Sequence, residues 1–204
     1  MSDAMQITAL YDRGTPENLL IGVEEVRDYG MIDVRGLATD RKFMAAAKKA
    51  LGFDFPKKPR TSKVEKGITC LWLSVDQWLV LCPLKSKDAL LKKLLSATAD
   101  TNALIVDVSD ARAVIRLTGA EVRHVLMKGA SVDFTQKEFG EGTVRRVSFA
   151  EIAAMVHVVP GAADTFDLLM FRSQAHHAWN WLAATAKSGS NKGLPGKLEA
   201  PATV

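Results

Sequence analysis

The sequence predicts an α+β fold: antiparallel sheets with covering helices, built from a duplicated strand–helix–hairpin–helix unit. Three observations lead there. Ile68–Pro83, read ITCLWLSVDQWLVLCP, is two short apolar runs around Ser-Val-Asp-Gln, the form of a β-hairpin. Strand-like alternation and helical periodicity interchange along the chain through hairpin connections, which argues against a doubly wound parallel sheet. The order strand, helix, loop, hairpin, helix then runs once over 31–99 and again over 111–187. Local sequence agrees: Val34-Arg35 matches Ile115-Arg116, Phe53-Asp54-Phe55 matches Val132-Asp133-Phe134, and Trp78–Leu81 matches Asp167–Met170.

Residues 1–25 have weak periodicity and read as an extended N-terminal arm. Residues 26–187 form a single domain made of the two repeats. Met31–Leu37 reads as a strand, by alternation. Thr39 or Asp40 caps a helix to Leu51, with Phe43, Ala47 and Ala50 at helical spacing, and Gly52 stops it. Pro56–Gly67 reads as a polar, basic loop. In the hairpin, a Ser74–Trp78 loop pairs Leu73 with Leu79 and sets Cys70 opposite Cys82. Leu71, Leu73, Leu79 and Leu81 then form one face, expected to meet this repeat's helices. Cys70, Trp72, Val80 and Cys82 form the other, with Trp78 at the turn. Both faces are apolar, so both should be covered.

Pro83 ends the pairing, and Ser86 caps a helix to Ala99. Asn102–Ser109 and Ala111–Leu117 are strands. Thr118-Gly-Ala-Glu121 has the form of a capping box for a helix to Gly129. Thr143–Val159 holds two strands and Thr165–Arg172 a third; Ser173 caps the last helix, to Lys187. Residues 188–204 are a Gly/Pro/Ser-rich flexible tail.

The net charge of +4 is mild, but its distribution is uneven. Asp3–Asp28 is acidic and Arg41–Lys66 basic. The basic stretch has no interleaved aromatic residues and no nucleic-acid motif, so it reads as a solvated loop or a surface for an acidic partner, not a nucleic-acid site. There is no signal-peptide pattern and no apolar run of the roughly 20 residues a bilayer span needs. A cytoplasmic protein without membrane association is expected, its two cysteines reduced and acting as small strand hydrophobes.

A search for chemistry finds little. No Gly-rich phosphate loop follows a strand, and no nucleophile elbow is present. His176 and His177 are adjacent, so on a helix they diverge by about 100° and do not chelate one metal. Asp107, at a strand end, is a candidate acid, though such residues more often bond local backbone. No catalytic, cofactor-binding or metal residue is assigned. The last helix carries an inward stripe of Ala175, Ala178, Trp179, Leu182, Ala183 and Ala186. His177, Trp181 and Ala184 make a second stripe. Trp78, His177 and Trp181 are therefore the candidate partner-contact residues.

Leu71-Trp-Leu-Ser-Val-Asp-Gln-Trp-Leu-Val-Leu81 is similar to the W-L-G-P-D-E-W-L pattern of the gamma subunit family of heterotetrameric sarcosine oxidase, departing at Ser74, Val75 and Gln77. Arg35-Gly36, Leu51-Gly52, Pro56, Val106-Asp-Val-Ser109 with Arg112, Thr118-Gly-Ala and Arg172-Ser173 also resemble that family, which usually has His where Asp110 stands. The resemblance implies a fold like the folate-binding domain of the aminomethyltransferase of glycine cleavage. It implies a noncatalytic structural subunit, without an active site of its own, in a complex of alpha, beta, gamma and delta subunits that converts sarcosine to glycine and passes the one-carbon unit to tetrahydrofolate. FAD, FMN, NAD, zinc and tetrahydrofolate would sit on the other subunits, and this chain would pack chiefly against alpha. The alternatives are a free-standing folate-binding one-carbon transfer protein, with Asp107 as its acid, and a gamma-type subunit of a related N-methyl amino acid oxidase or dehydrogenase.

Overall fold

The computed structural model describes residues 7–162 and 164–187. The tail 188–204 and the first residues of the arm lie outside them. Among the described residues the architecture is α+β, with two five-stranded antiparallel sheets and four helices. The chain divides into two units. The first comprises Val26–Arg112 and Gly142–Arg146; the second takes the residues up to Glu25, Ala113–Glu141 and the residues from Val147 on.

In chain order the strands are β1 (Gly22–Glu25), β2 (Tyr29–Arg35), β3 (Ser62–Glu65), β4 (Ile68–Ser74), β5 (Gln77–Pro83), β6 (Leu104–Asp107), β7 (Arg112–Thr118), β8 (Val144–Phe149), β9 (Ile152–Val158) and β10 (Thr165–Phe171). The helices are α1 (Arg41–Leu51), α2 (Lys87–Thr98), α3 (Val122–Gly129) and α4 (Ala175–Thr185). One sheet has the order β3-β4-β5-β2-β6 and the other β8-β9-β10-β7-β1. These are the same order position for position. β5 and β10 share one burial pattern, and each leads through a three-residue 3-10 turn into a helix. Aligned by element, Asp33 of β2 stands where Arg116 stands in β7, and Leu79 of β5 where Asp167 stands in β10. The local matches of Val34 with Ile115 and Trp78 with Asp167 are therefore out of step.

In the first unit, α1 begins where Asp40 accepts hydrogen bonds from Lys42 N (2.8 Å) and Phe43 N (3.1 Å). It ends at Gly52, whose φ of 87° closes the helix with a bond to Lys48 O. Lys48 and Lys49 occupy the last turn, where the helix dipole favours cations. Phe43 packs so close to Gly36 that a Cβ there would come within 2.7 Å of the ring, which requires the glycine at the end of β2.

The hairpin forms in a different register from the expected one. Leu71 opposes Leu79, Trp72 opposes Trp78 and Cys70 opposes Val80, with an irregularity between Trp72 and Ser74. The turn is only Val75-Asp76, because Ser74 pairs directly with Gln77. Cys70 and Cys82 are not partners. The faces are also exchanged. Cys70, Trp78, Val80 and Cys82 join Phe43, Ala47, Leu90 and Leu94 in the helix-side core, with Trp72 half-buried against it. Leu71, Leu79 and Leu81 are buried on the opposite face.

Two strands lie in stretches read as irregular. β1 belongs to the arm and pairs with β7; β3 belongs to the basic loop and pairs with β4. The capping box at Thr118 does not form: Thr118 pairs with Gly22 in the ladder, and Glu121 is engaged by His124 Nδ1 (2.9 Å). Ser86 stands at the N-cap of α2, but its hydroxyl donates to Pro83 O (2.9 Å) and makes no capping bond; at α4 the N-cap is Gln174, and Ser173 lies in the preceding 3-10 turn. In the second unit, α3 and α4 cover the face of Ile115, Leu117, Val156, Phe166 and Leu168.

Asp40→Ala removes the α1 cap and is expected to lower stability by about 1 kcal/mol, read as a shift of the urea midpoint at constant slope.

Candidate functional site

The titratable and aromatic side chains outside the two cores fall into a few clusters, each within one unit. In the first unit, Asp107 Oδ2 takes a salt bridge from Lys87 Nζ at 2.6 Å. Its Oδ1 accepts from Ser109 N (2.9 Å) and Ser109 Oγ (2.6 Å), and that hydroxyl in turn accepts from Met31 N (2.9 Å). Burial works against ionisation, but the bonds from Lys87 and Ser109 outweigh it and hold the Asp107 carboxyl below its ordinary value. The same pairing raises Lys87. These donors favour the ionised carboxylate and tie Asp107 to Lys87 and Ser109.

On the sheet face away from the helices, Asp33 Oδ2 accepts from Gln77 Nε2 (2.6 Å), and Gln77 Oε1 accepts from Arg146 Nη2 (2.7 Å). Arg112 lies in the same field: burial lowers its pKa, Asp33 opposes that and Arg146 adds to it. Position 33 has its counterpart in the second unit at Arg116. There the guanidinium forks onto Asp167, Nε to Oδ1 at 2.8 Å and Nη2 to Oδ2 at 2.9 Å, with the carboxylate 1% exposed. His157 of β9 stands directly opposite Asp167 in the ladder. Burial depresses His157 to about 4, with Asp167 opposing and Arg116 reinforcing the shift.

Arg123 is a buried cation that organises a loop. Its Nη1 donates to Phe139 O (3.0 Å) and Phe134 O, its Nη2 donates to Gln136 Oε1 (2.9 Å), and the guanidinium lies 4.9 Å from the Phe166 ring centroid. Periodicity carries no sign of this role, because two acceptors are backbone carbonyls and the side-chain partners, Gln136 and Asp164, lie far along the chain. The cysteines are buried, and burial raises both thiols.

The predicted contact residues separate. Trp78 is fully buried. Its Nε1 donates to Pro56 O at 2.8 Å, and its ring stacks on Phe55 at 4.7 Å and lies 6.0 Å from Phe43. It is a core residue and is not available as an outward contact. The reason is the register: Trp78 lies inside β5, on the helix-side face, and not in the turn. His177 is exposed, with Nε2 bonded to Ala150 O (2.8 Å). Trp181 is half-buried, edge-on to Phe149 at 4.8 Å. The two histidines of α4 engage different elements. His176 Nε2 donates to Ala9 O (2.9 Å), and its Nδ1 then accepts from Arg13 Nη2 (3.1 Å). No group of three metal-ligating side chains occurs among the described residues, and no described helix is long and apolar enough to cross a membrane.

Residues 35–188 match the family described as "Sarcosine oxidase, gamma subunit family". The chain belongs to that family. The sarcosine oxidase subunit gamma of Corynebacterium sp. (strain P-1) is 25% identical over 164 residues, 79% of this chain and 78% of its own. Among solved structures, the heterotetrameric sarcosine oxidase from Corynebacterium sp. U-96, in complex with pyrrole 2-carboxylate, has a chain similar to this one. The TM-score is 0.78 at 23% identity, covering 89% of this chain and 91% of that one. The glycine cleavage system aminomethyltransferase T from Bartonella henselae matches with a TM-score of 0.60 at 13% identity, over 81% of this chain and 46% of its own. These structural likenesses carry the fold. For this gamma-family chain they establish the aminomethyltransferase-like α+β architecture expected from its sequence.

His157 gives the family fold a measurable acid response. Its folded pKa of about 4 lies below the unfolded value of 6.5, so the neutral ring stabilises the fold. That stability is fully present above pH 6.5 and is lost as pH falls toward 4. Urea unfolding should weaken over this window by up to about 1.4 kcal/mol per pH unit. His157→Gln should flatten that part of the profile; an unchanged slope would show that His157 is not the titrating group.

Proposed function

We propose that this chain is the noncatalytic gamma subunit of a heterotetrameric oxidase that demethylates sarcosine, or a closely related N-methyl amino acid, and passes the one-carbon unit to tetrahydrofolate. The observation that carries this reading is the family match over residues 35–188. The chemistry of the chain agrees with it. Asp107 is tied to Lys87 and Ser109, Asp167 to Arg116, and His176 to Ala9 and Arg13. Each of these groups is engaged in holding the chain's own fold.

In this reading the alpha, beta and delta subunits carry the FAD, FMN, NAD, zinc and tetrahydrofolate, and the assembled complex is cytoplasmic. The gamma chain contributes surface, chiefly to alpha. The exposed side of α4 at His177 and Trp181 is one contact, since an exposed His beside a half-exposed Trp at i, i+4 offers an aromatic anchor with a polar neighbour.

The test is co-expression with the three other subunits. This chain should copurify with the flavin-bearing subunits and, by itself, bind no flavin and turn over no sarcosine. Trp181→Ala should weaken copurification by about tenfold or more if the ring is an anchor. A chain that stays a stable monomer and never copurifies with alpha or beta would overturn the assignment. Tight tetrahydrofolate binding by the isolated chain, lost in Asp107→Asn, would move it to the free-standing enzyme reading.

A further inference from the structure

The duplicated sheets allow an internal comparison. β6 edges the first unit's sheet and β1 edges the second's, and the two occupy the same place in the repeat. The correspondence holds by residue. Leu104 opposes Arg35 and Val106 opposes Asp33, while Gly22 opposes Thr118 and Glu24 opposes Arg116. Leu104 therefore stands where Gly22 stands, and Val106 where Glu24 stands. Directly paired residues share a face, and Ile105 lies on the other face, in the helix-side core.

The two edges differ in chemistry. β1 shows a glycine and a charged glutamate on that face, a common protection against further strand pairing. β6 shows Leu104, 56% exposed, and Val106, 40% exposed. On the same face, β3 carries Ser62 and Val64, the latter 48% exposed, and β8 carries Arg146 and Ser148. Among the described residues, β6 is the sheet edge with two exposed large apolar side chains on that face, against one on β3 and none on β1 or β8. Its one acid, Asp107, is drawn back to Lys87 on the helix side.

The backbone of β6 is open as well. Val108 N donates to Met31 O (2.9 Å), which marks that pair as hydrogen-bonded. Antiparallel ladders alternate, so Val106 and Leu104 turn their amides toward β2, and Ile105 and Asp107 turn theirs outward. Charges flank the apolar pair. The half-exposed guanidinium of Arg35 lies beside Leu104, and exposed Asp110 lies beyond the other end.

We infer that β6 is a docking edge for an extended strand of another subunit of the complex. The strand would bond the outward amides of Ile105 and Asp107 and cover Leu104 and Val106 with apolar side chains. It would place an acidic residue near Arg35 and a basic one toward Asp110. The inference rests on the gamma-subunit reading, which supplies the partner.

The experiment is amide-resolved hydrogen exchange on the co-expressed complex and on the isolated chain, with the double variant Leu104→Lys/Val106→Lys in parallel. In the complex, the amides of Ile105 and Asp107 should slow by about tenfold or more relative to the isolated chain. Those of Leu104 and Val106, already bonded to β2, should be protected in both. The double variant should melt cooperatively, as the wild type does, yet copurify with the other subunits at about one-tenth the yield or less. Free exchange at Ile105 and Asp107 in an assembled complex, or undiminished copurification of the variant, overturns the docking edge and leaves the gamma-subunit reading intact. A wild-type chain that does not assemble at all overturns both. Protection that appears in the isolated chain and grows with its concentration assigns the edge to a second copy and overturns the inference.

Discussion

The first unit depends on the burial of one indole. Trp78 is fully enclosed, and a tryptophan there must find an acceptor for its N–H. It finds Pro56 O, and this couples the central strand β5 to the segment that follows α1. Phe55 stacks on the same ring from that segment, and Phe43 reaches it from α1. Gly36 then has to be glycine, because Phe43 occupies the space its side chain would need. One ring thus fixes the depth of the hairpin, the approach of α1, the course of residues 53–56 and the residue at the end of β2. The second unit puts Phe166 at the matching place and covers it with the Arg123 guanidinium, so a cation over a ring replaces the aromatic stack.

What the sequence made legible follows from how much information each element carries locally. The hairpin, α1 and its two caps, α4 and its inward stripe, and the repeated order of elements are all set by apolar periodicity and by Asp40 or Gly52, which act on near neighbours. β1 and β3 were hidden because neither has two apolar residues in alternation. Val23 and Val64 are the only large apolar side chains in them, and their backbone pairing is supplied by β7 and β4. The hairpin faces were misassigned for a related reason. Strand parity is decided by the turn, and the two-residue turn with its irregularity at Leu73 moves every partner from the symmetric pairing. Trp78 passed from the turn to the core by that same shift.

The polar residues tell which parts of the fold the chain is free to vary. Apolar positions agree closely between the units: β2 and β7 bury the same places, and β5 and β10 have the same pattern throughout. At the equivalent positions 33 and 116 the charge is opposite, and each is answered differently, Asp33 by an amide side chain and Arg116 by a bidentate carboxylate. These groups need only satisfy one another, because a buried charge without a partner costs more than either solution.

The same distinction decides how to read the surface. A group whose hydrogen bonds close within its own unit explains itself, and most candidate residues of the sequence are of that kind, Asp107 and His176 among them. What stays unexplained by the fold is apolar surface at a place where the duplicate has charge. Leu104 and Val106 do nothing for the helix-side core, which Ile105 already serves, and a polar side chain at position 106 would fit the same ladder, as Glu24 does in its own. Folding by itself gives no reason for the difference. The docking edge inferred for β6 would give one, since a strand laid along it covers Leu104 and Val106 and bonds the outward amides of Ile105 and Asp107.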